Sequence, residues 1–294
     1  MLRHEWAVLN GIRLHYVTAG EGKLILFIHG FPEFWYAWKD QLAEFGRDHR
    51  AVALDMRGYN LSSKPATIEQ YEIKYVVEDL RALADHLGQK KFVLVGHDWG
   101  GGVAWAFALY HPESLEKLII INTPHPSVFE RELRQNPAQR QASAYMLMFR
   151  SPQAEAILSA NNYAALVDVV LGEGLRQGYF TEEDRKAYLE AWSQPGALTG
   201  GLNYYRAAKL GPPAEENELA RSFVPGLSSL TVTVPTLVIW GDRDPYLLSG
   251  NLDGLDAFVP DLSLKRIPDG SHWVVHEMPE LVNRIMREFM EQKQ

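Results

Sequence analysis

The sequence contains no cysteine, no long apolar run and no cluster of basic residues. Without cysteine, the chain cannot form disulfides, use a thiolate nucleophile or bind a metal through sulfur. No segment approaches the roughly 20 apolar residues that span a bilayer, and residues 1–20 lack the apolar stretch of a secretory signal. We therefore expect a soluble protein of the cytoplasm without membrane insertion.

The charge balance is acidic, with a net charge of -8 and a pI of about 5.7. Proteins that bind nucleic acid need a basic surface for the phosphates, and this chain provides none. Its 46% apolar content is ample for a packed core. These properties favour a globular protein that acts on a small-molecule substrate; the oligomeric state leaves no trace in the sequence.

Short apolar segments rich in β-branched residues predict buried strands at 23–28, 50–54, 92–95, 118–121, 236–240 and 262–267. Helix-length amphipathic segments at 71–87, 101–111 and 280–292 follow several of them. Strands that alternate with helices in this way are typical of a parallel sheet, so the predicted class is α/β.

A long region without strand signals interrupts this alternation. It holds helical segments at 138–150, 153–159, 163–171 and 182–192. Prolines mark both ends of the region, at Pro124, Pro126, Pro212, Pro213, Pro225 and Pro235. We predict a core formed by residues 1–126 and 235–294 and an inserted helical cap at 127–234 that covers a site. The alternative is a helical subdomain without a catalytic role.

The segment Gly96-His97-Asp98-Trp99-Gly100 places an aspartate at the centre of a Gly-x-nucleophile-x-Gly turn between a predicted strand and helix. A serine that attacked saturated carbon would leave a stable ether, whereas an aspartate leaves an ester that water can cleave at its carbonyl. Asp98 as a nucleophile therefore indicates an epoxide or alkyl halide substrate. Its alternative role is a helix N-cap.

Two later motifs supply the groups that would hydrolyse such an ester. Gly241-Asp-Arg-Asp244 and Gly270-Ser-His272 each follow a predicted strand, in the chain order nucleophile, acid, histidine. His272 would activate water while Asp244 orients its imidazole. Asp242 is the alternative to Asp244, and we interpret His276 as a structural residue.

The segment His29-Gly-Phe31 follows the first long strand, where the backbone N–H groups of Phe31 and Trp99 would form an oxyanion hole. We interpret His29 as a structural hydrogen-bonding residue. Asn60 occupies a position that favours a positive φ angle, which asparagine tolerates.

Together these motifs resemble the α/β-hydrolase-fold epoxide hydrolases, which are related to haloalkane and haloacetate dehalogenases. The resemblance spans nearly the whole chain and is carried by His29-Gly-Phe-Pro-Glu33, Asp55-Met-Arg-Gly-Tyr59, Gly96-His-Asp-Trp-Gly-Gly101, Gly241-Asp-Arg-Asp244 and Gly270-Ser-His-Trp273. It implies an eight-stranded, mostly parallel sheet with a helical cap, no cofactor or metal, and two cap tyrosines that hold and protonate the epoxide oxygen. The candidates are Tyr145 and Tyr205, with Tyr204 as the alternative to Tyr205.

The activity implied is the opening of an epoxide to a vicinal diol through an ester on Asp98. A dehalogenase is the alternative, because Trp99 could donate its indole N–H to a halide. Phe31 stands where haloalkane dehalogenases often carry asparagine, and Trp99 where haloacetate dehalogenases carry arginine. A non-catalytic binding scaffold is a third hypothesis. Apolar lining for a lipophilic substrate is predicted at Trp35, Met146, Met148, Phe149 and Trp192, each of which also fits an ordinary core position.

Overall fold

The computed structural model describes residues 1–212 and 230–292. Eight strands form one sheet, with the bounds β1 Arg3–Leu9, β2 Ile12–Ala19, β3 Leu24–Ile28, β4 Arg50–Leu54, β5 Phe92–His97, β6 Leu115–Ile121, β7 Thr236–Gly241 and β8 Leu262–Ile267. Their spatial order is β1-β2-β4-β3-β5-β6-β7-β8. The pairs from β4 to β8 are parallel, while β2 is antiparallel to both β1 and β4. The predicted fold class is confirmed.

All six predicted strands are present, but the hairpin of β1 and β2 was not predicted from the residue pattern. β1 lies at the edge of the sheet, begins with three polar residues and buries only Ala7, so it lacks the continuous apolar run of a central strand. The turn between the strands did carry a signal, since Asn10 and Gly11 both have positive φ angles and join Leu9 to its partner Ile12. This is the residue pair that two-residue hairpin turns favour.

Helices flank the sheet on both faces. Those outside the long strand-free segment are α1 Lys39–Phe45, α2 Ile73–His86, α3 Trp99–Tyr110, α11 Val274–Glu277 and α12 Pro279–Glu291. The chain steps one way from β3 to β4 and the opposite way from β4 to β5, so right-handed crossovers place α1 and α2 on opposite faces. α1 packs against α12 and α2 against α3. Ligands bind at such reversals of strand order, outside the carboxyl ends of the strands.

Between β6 and β7 the described residues form helices only. Their bounds are α4 Pro126–Gln135, α5 Pro137–Ala142, α6 Tyr145–Arg150, α7 Ala154–Leu166, α8 Gly172–Gln177, α9 Glu182–Trp192 and α10 Ala197–Ala208. The division at residues 127 and 234 stays a prediction, and the predicted exit signals Pro213 and Pro225 lie outside the described residues. Among the residues described, no helix is long and apolar enough to cross a bilayer.

Two helix predictions in this region need correction, and one is confirmed. The segment predicted as one helix at 138–150 is divided between α5 and α6. The break predicted at 160–162 is present inside α7, where residues 160–163 leave the helical conformation. α10 was not predicted because Gly200 and Gly201 interrupt its pattern. A Cβ atom on Gly200 would lie 2.3 Å from the carbonyl oxygen of Gly58, so glycine lets α10 approach the loop after β4.

Candidate active site

Asp98 lies on a sharp turn at the end of β5, immediately before α3. Its backbone has φ 51° and ψ -124°, a conformation that residues other than glycine rarely adopt and that marks a strained position. The carboxylate makes no capping hydrogen bond to the helix. The N-cap alternative for Asp98 is therefore wrong, and its side chain is directed elsewhere.

The glycines around Asp98 are required by close backbone contacts. Neither Gly96 nor Gly100 has a positive φ angle. A Cβ atom on Gly96 would lie 2.4 Å from the Gly100 carbonyl oxygen, and one on Gly100 would lie 2.2 Å from the Ile28 carbonyl oxygen. On Gly30, a Cβ atom would lie 2.3 Å from the Asp98 side chain. The strain is thus carried by Asp98, and the glycines allow β3, β5 and α3 to pack around it.

The two carboxylate oxygens of Asp98 have different surroundings. Oδ1 accepts a hydrogen bond from the backbone N–H of Phe31 at 2.8 Å. Oδ2 lies 3.6 Å from Nε2 of His272. The hydroxyl of Thr123 donates to the Asp98 carbonyl oxygen at 3.0 Å and helps to hold the turn. One oxygen is therefore anchored by the predicted oxyanion-hole residue, and the other faces His272.

His272 joins Asp98 to Asp244. Its Nδ1 lies 2.7 Å from Oδ2 of Asp244, whose side chain is almost fully buried. Asp244 Oδ1 accepts from the backbone N–H groups of Tyr246 and Leu247 at 2.8 and 2.9 Å. Asp242, the alternative orienting residue, instead accepts from Arg266 Nε at 2.8 Å near the surface. The geometry therefore selects Asp244 as the partner of His272.

The charges of the two aspartates act on His272. Burial alone would lower the pKa of its imidazole, but Asp244 and Asp98 outweigh this and raise the pKa to about 10. Burial opposes the charged form of Asp244 as well, and the His272 contact together with hydrogen bonds holds the pKa of this carboxyl below its usual value. In the resting site, His272 is therefore an imidazolium between two carboxylates.

Asn122 is a member of this site that was not predicted from the sequence. It directly follows β6 with φ 43°, and its Nδ2 donates to Asp244 Oδ2 at 2.8 Å. Its Oδ1 accepts from the Gly241 backbone N–H at 2.8 Å, which ties the end of β6 to β7. The sequence could have suggested Asn122 through its position directly after a buried parallel strand, because the carboxyl ends of parallel strands meet at one edge of the sheet.

Tyr145 on α6 and Tyr205 on α10 lie over Asp98. Their side chains are hydrogen-bonded to each other, and Tyr205 is also hydrogen-bonded to Trp99. Burial, followed by the charge of Asp98, raises the pKa of both phenols well above the ordinary value. Both hydroxyls are therefore neutral and able to donate hydrogen bonds. Tyr204 points away, and its hydroxyl donates to the Arg57 carbonyl oxygen at 2.9 Å.

Two cavities meet at Asp98, Tyr145 and Tyr205. The larger has a volume of about 230 Å³ and is otherwise lined by Phe31, Pro32, Met148, Phe149, Ile157, Leu158, Ala165, Leu166, Val169, Tyr246, His272 and Trp273. The smaller has a volume of about 40 Å³ and is otherwise lined by Trp99, Gly102, Thr123, Pro124, Phe129, Met146, Leu210 and Leu247. Ile157 and Val169 are 48% and 46% exposed, which indicates that the large cavity opens to solvent beside them.

Three of the five predicted lining residues line these cavities, and two do not. Met148 and Phe149 line the large cavity and Met146 the small one. Contrary to the prediction, Trp35 lines neither cavity; its ring packs against His4, Phe34 and Tyr36 at the start of the segment that leads into α1. Trp192 is not on these cavities either, because its indole N–H donates to the Pro32 carbonyl oxygen at 2.5 Å. Both residues belong to the packing between elements.

Other predicted residues have structural positions. Nδ1 of His29 lies 2.8 Å from the Gly30 carbonyl oxygen, and Nε2 of His29 accepts a hydrogen bond from the Met56 backbone N–H at 3.2 Å. Asn60 has the expected positive φ angle, 38°. His276 contacts Glu33 and does not contact the nucleophile.

Comparisons with known proteins agree with this architecture. The family described as alpha/beta hydrolase fold matches residues 23–279, most of the chain. The protein is therefore an α/β hydrolase.

Relatives define the group within that class. Epoxide hydrolase 4 of Mus musculus is 39% identical over 292 residues, which cover 97% of this chain and 78% of that protein. The AB hydrolase superfamily protein YfhM of Bacillus subtilis is 41% identical, covering 96% of this chain and 95% of that protein. The crystal structure of Bacillus megaterium epoxide hydrolase in complex with an inhibitor has a TM-score of 0.93 at 41% identity, covering 98% of this chain and 100% of that chain. This chain belongs to the α/β-hydrolase-fold epoxide hydrolases.

Proposed function

We propose that this protein hydrolyses an epoxide to a vicinal diol through a covalent ester on Asp98. The observation that carries the proposal is the combination of a carboxylate free of any capping bond with two neutral phenols above it. Relatives named as epoxide hydrolases support the overall reaction. The proposal treats residues 127–234 as a cap, because this segment supplies both tyrosines.

In the first step, Asp98 Oδ2 attacks the less hindered epoxide carbon and the carbon–oxygen bond of the ring breaks. The departing oxygen receives hydrogen bonds from Tyr145 and Tyr205 and takes the proton of one of these phenols, which leaves a hydroxyalkyl ester; the phenolate is then reprotonated from solvent. Oδ1 is the natural carbonyl oxygen of this ester, because the Phe31 N–H already donates to it.

In the second step, water attacks the ester carbonyl carbon and loses a proton to His272. The negative charge that develops on Oδ1 is stabilised by the N–H groups of Phe31 and Trp99. The bond between the Asp98 carbonyl carbon and Oδ2 then breaks, so Oδ2 leaves as a hydroxyl oxygen of the diol while the oxygen from water stays on Asp98 and restores the carboxylate. Because esterification removes the charge of Asp98, one of the influences that raise the pKa of His272 disappears, and the imidazolium releases its proton to solvent before it accepts one from the attacking water.

The cavity lining supports a lipophilic epoxide with one bulky substituent. The large cavity fits an aryl or alkyl group, whereas the small one has room for a group of a few heavy atoms at most. Among residues 1–212 and 230–292, neither cavity is lined by lysine or arginine. A substrate carboxylate such as that of haloacetate would therefore find no lysine or arginine partner there.

Mass spectrometry of a trapped intermediate tests the proposal. The wild-type protein should convert a terminal epoxide to its diol, and His272→Gln incubated with the same epoxide should carry its mass on the peptide that contains Asp98. Halide release from a bromoalkane or from chloroacetate, with no diol from any epoxide, would instead support a dehalogenase. An unmodified peptide and no turnover of either substrate class would support a binding scaffold.

A further inference from the structure

Gln139 on α5 is a fully buried glutamine whose side chain makes every hydrogen bond that an amide can make. Its Nε2 donates to the Tyr246 carbonyl oxygen and to the Ser143 hydroxyl, both at 2.8 Å. Its Oε1 accepts from the Leu248 backbone N–H at 2.9 Å and from Nδ2 of Asn251 at 2.8 Å. An amide side chain has two donor hydrogens and two acceptor lone pairs, so all of them are used here.

Three of the four partners lie in the loop that follows β7, residues 244–251, which we call the acid loop because it begins with Asp244. These partners also set the orientation of the amide of Gln139, because a carbonyl oxygen only accepts and a backbone N–H only donates. A buried polar group that lost its partner would be costly. The four bonds therefore hold α5 and the acid loop in one relative position.

The peptide between Tyr246 and Leu247 is hydrogen-bonded at both ends. Its carbonyl oxygen accepts from Gln139, and its N–H donates to Oδ1 of Asp244 at 2.9 Å. Because a peptide unit is planar, holding the carbonyl end fixes the direction of the N–H end. The next peptide is held too, since its N–H, that of Leu248, donates to Oε1 of Gln139. Gln139 thus fixes the backbone that orients the Asp244 carboxylate.

The acid loop also forms part of the wall of the site. The side chain of Tyr246 lines the large cavity, and that of Leu247 lines the small one. The Tyr246 ring packs edge-to-face on His272, with 5.4 Å between the ring centroids. A displacement of the acid loop would therefore move both Asp244 and a ring that contacts the base. Misplacement by about 1 Å can cost roughly 100-fold in rate.

We propose that Gln139 is a positioning residue for ester hydrolysis, because through the acid loop it holds Asp244, and with it His272, where water is activated. The inference rests on the proposed function, in which His272 takes the proton of that water. Gln139 itself touches none of the reacting atoms. Ester formation should depend less on Gln139, since α6, which carries Tyr145, also packs against α10.

Gln139→Met is the first test, because it removes all four hydrogen bonds and keeps an unbranched side chain of similar length. In single-turnover kinetics with a terminal epoxide, ester formation should stay within about threefold of the wild type, whereas ester hydrolysis should slow by about tenfold or more. The ester on Asp98 then accumulates, so kcat and KM fall together while kcat/KM changes little. A variant that only lost folded protein would instead show a lower kcat at an unchanged KM.

Gln139→Glu separates positioning from the filling of space. A buried carboxyl favours its neutral form, which has nearly the shape of the amide. In that form it accepts from Leu248 and Asn251 and donates its one proton to the Tyr246 carbonyl. It should therefore recover most of the hydrolysis rate lost in Gln139→Met. Normal hydrolysis in Gln139→Met with slower hydrolysis in Gln139→Glu would show that Gln139 only fills space, and would overturn the proposal.

Arg131→Met is the matched control. Arg131 on α4 donates to the carbonyl oxygens of Gly250 and Asp253 at 3.2 and 2.8 Å, so it ties the same helical region to the far end of the acid loop and beyond. It has no bond to the two peptides that flank Leu247. Arg131→Met should lower the thermal midpoint and leave the ratio of the two rates unchanged. Equal slowing of hydrolysis in Arg131→Met and Gln139→Met would overturn the particular role of Gln139.

Asn251→Ala is a milder variant for the case in which Gln139→Met does not fold. It removes one of the three bonds between Gln139 and the acid loop and leaves the other two. Ester hydrolysis should slow by about threefold with ester formation unchanged, and an unchanged hydrolysis rate would overturn the inference. The two proposals also fail separately. A wild-type protein that forms neither diol nor ester contradicts the proposed function, whereas normal wild-type turnover with unaltered hydrolysis in these variants contradicts only the role of Gln139.

Discussion

Nε2 of His272 lies 3.6 Å from Oδ2 of Asp98, a distance at which the charge of each side chain strongly affects the other. The same histidine is held by Asp244 at 2.7 Å on its opposite side. The resting pair is thus an imidazolium beside a carboxylate. In the proposed mechanism, it becomes a base beside an ester once the carboxylate is alkylated.

Asp98→Asn should imitate the loss of charge that accompanies alkylation. In the wild type, Asp98 helps to raise the pKa of His272 to about 10. Without this negative charge, the protonated imidazole is less stable, so the pKa should fall by about one unit or more. NMR titration of His272 checks this. Asp242→Asn is the control, since Asp242 is paired with Arg266, and it should leave the titration unchanged.

The neighbours Tyr204 and Tyr205 should respond oppositely to loss of their hydroxyls. Tyr205→Phe removes one of the two proposed donors to the epoxide oxygen and should slow alkylation by about 10- to 100-fold, as measured by single-turnover kinetics. Tyr204→Phe should keep the alkylation rate but lose roughly 1–2 kcal/mol of unfolding free energy, because its bond to the Arg57 carbonyl is buried. The reverse pattern would exchange their roles.

Asn122→Gly should slow ester hydrolysis while leaving alkylation less affected. Glycine tolerates the left-handed backbone at this position, so the change chiefly removes the hydrogen bond to Asp244. We expect a loss of roughly tenfold in the hydrolytic step. Asn60→Gly is a matched control, because Asn60 also has a positive φ angle and donates to a buried carboxylate, Asp55, at 2.8 Å. Equal loss in both variants would indicate a general effect on the fold.

The unequal cavities predict a preference among substrates. A terminal epoxide with an aryl group should have a kcat/KM at least about tenfold above that of a trans epoxide with bulky groups on both carbons. Leu158→Trp should reduce kcat/KM for the aryl epoxide by filling the large cavity, and should spare a small epoxide such as propylene oxide. Equal losses for both epoxides would place substrate binding elsewhere.

Much of this fold could be predicted because the central strands are buried on both faces and form continuous apolar runs. β1 and β2 could not be predicted in the same way, because an edge hairpin mixes exposed and buried positions. The helices between β6 and β7 were predicted in outline, but α10 carries Gly200, which permits a close contact with Gly58, far away in the sequence. Such contacts leave no periodic signal.

The candidate active site was likewise predicted only in part from the sequence. Asp98, Asp244 and His272 could be found because each stands in a motif at a strand end. The choice of Tyr205 over Tyr204 depends on the rotation of α10, which the sequence does not fix. Trp35 was expected at the cavity from its residue type, but it packs beside α1 instead.

A single turnover in heavy-oxygen water tests the central claim most directly. With enzyme in excess over epoxide, the nucleophile should take up ¹⁸O from water, so the label appears in the peptide that contains Asp98 and the first diol released is unlabelled. A diol that carries the label, together with an unlabelled peptide, would show direct attack of water on the epoxide and would contradict the account.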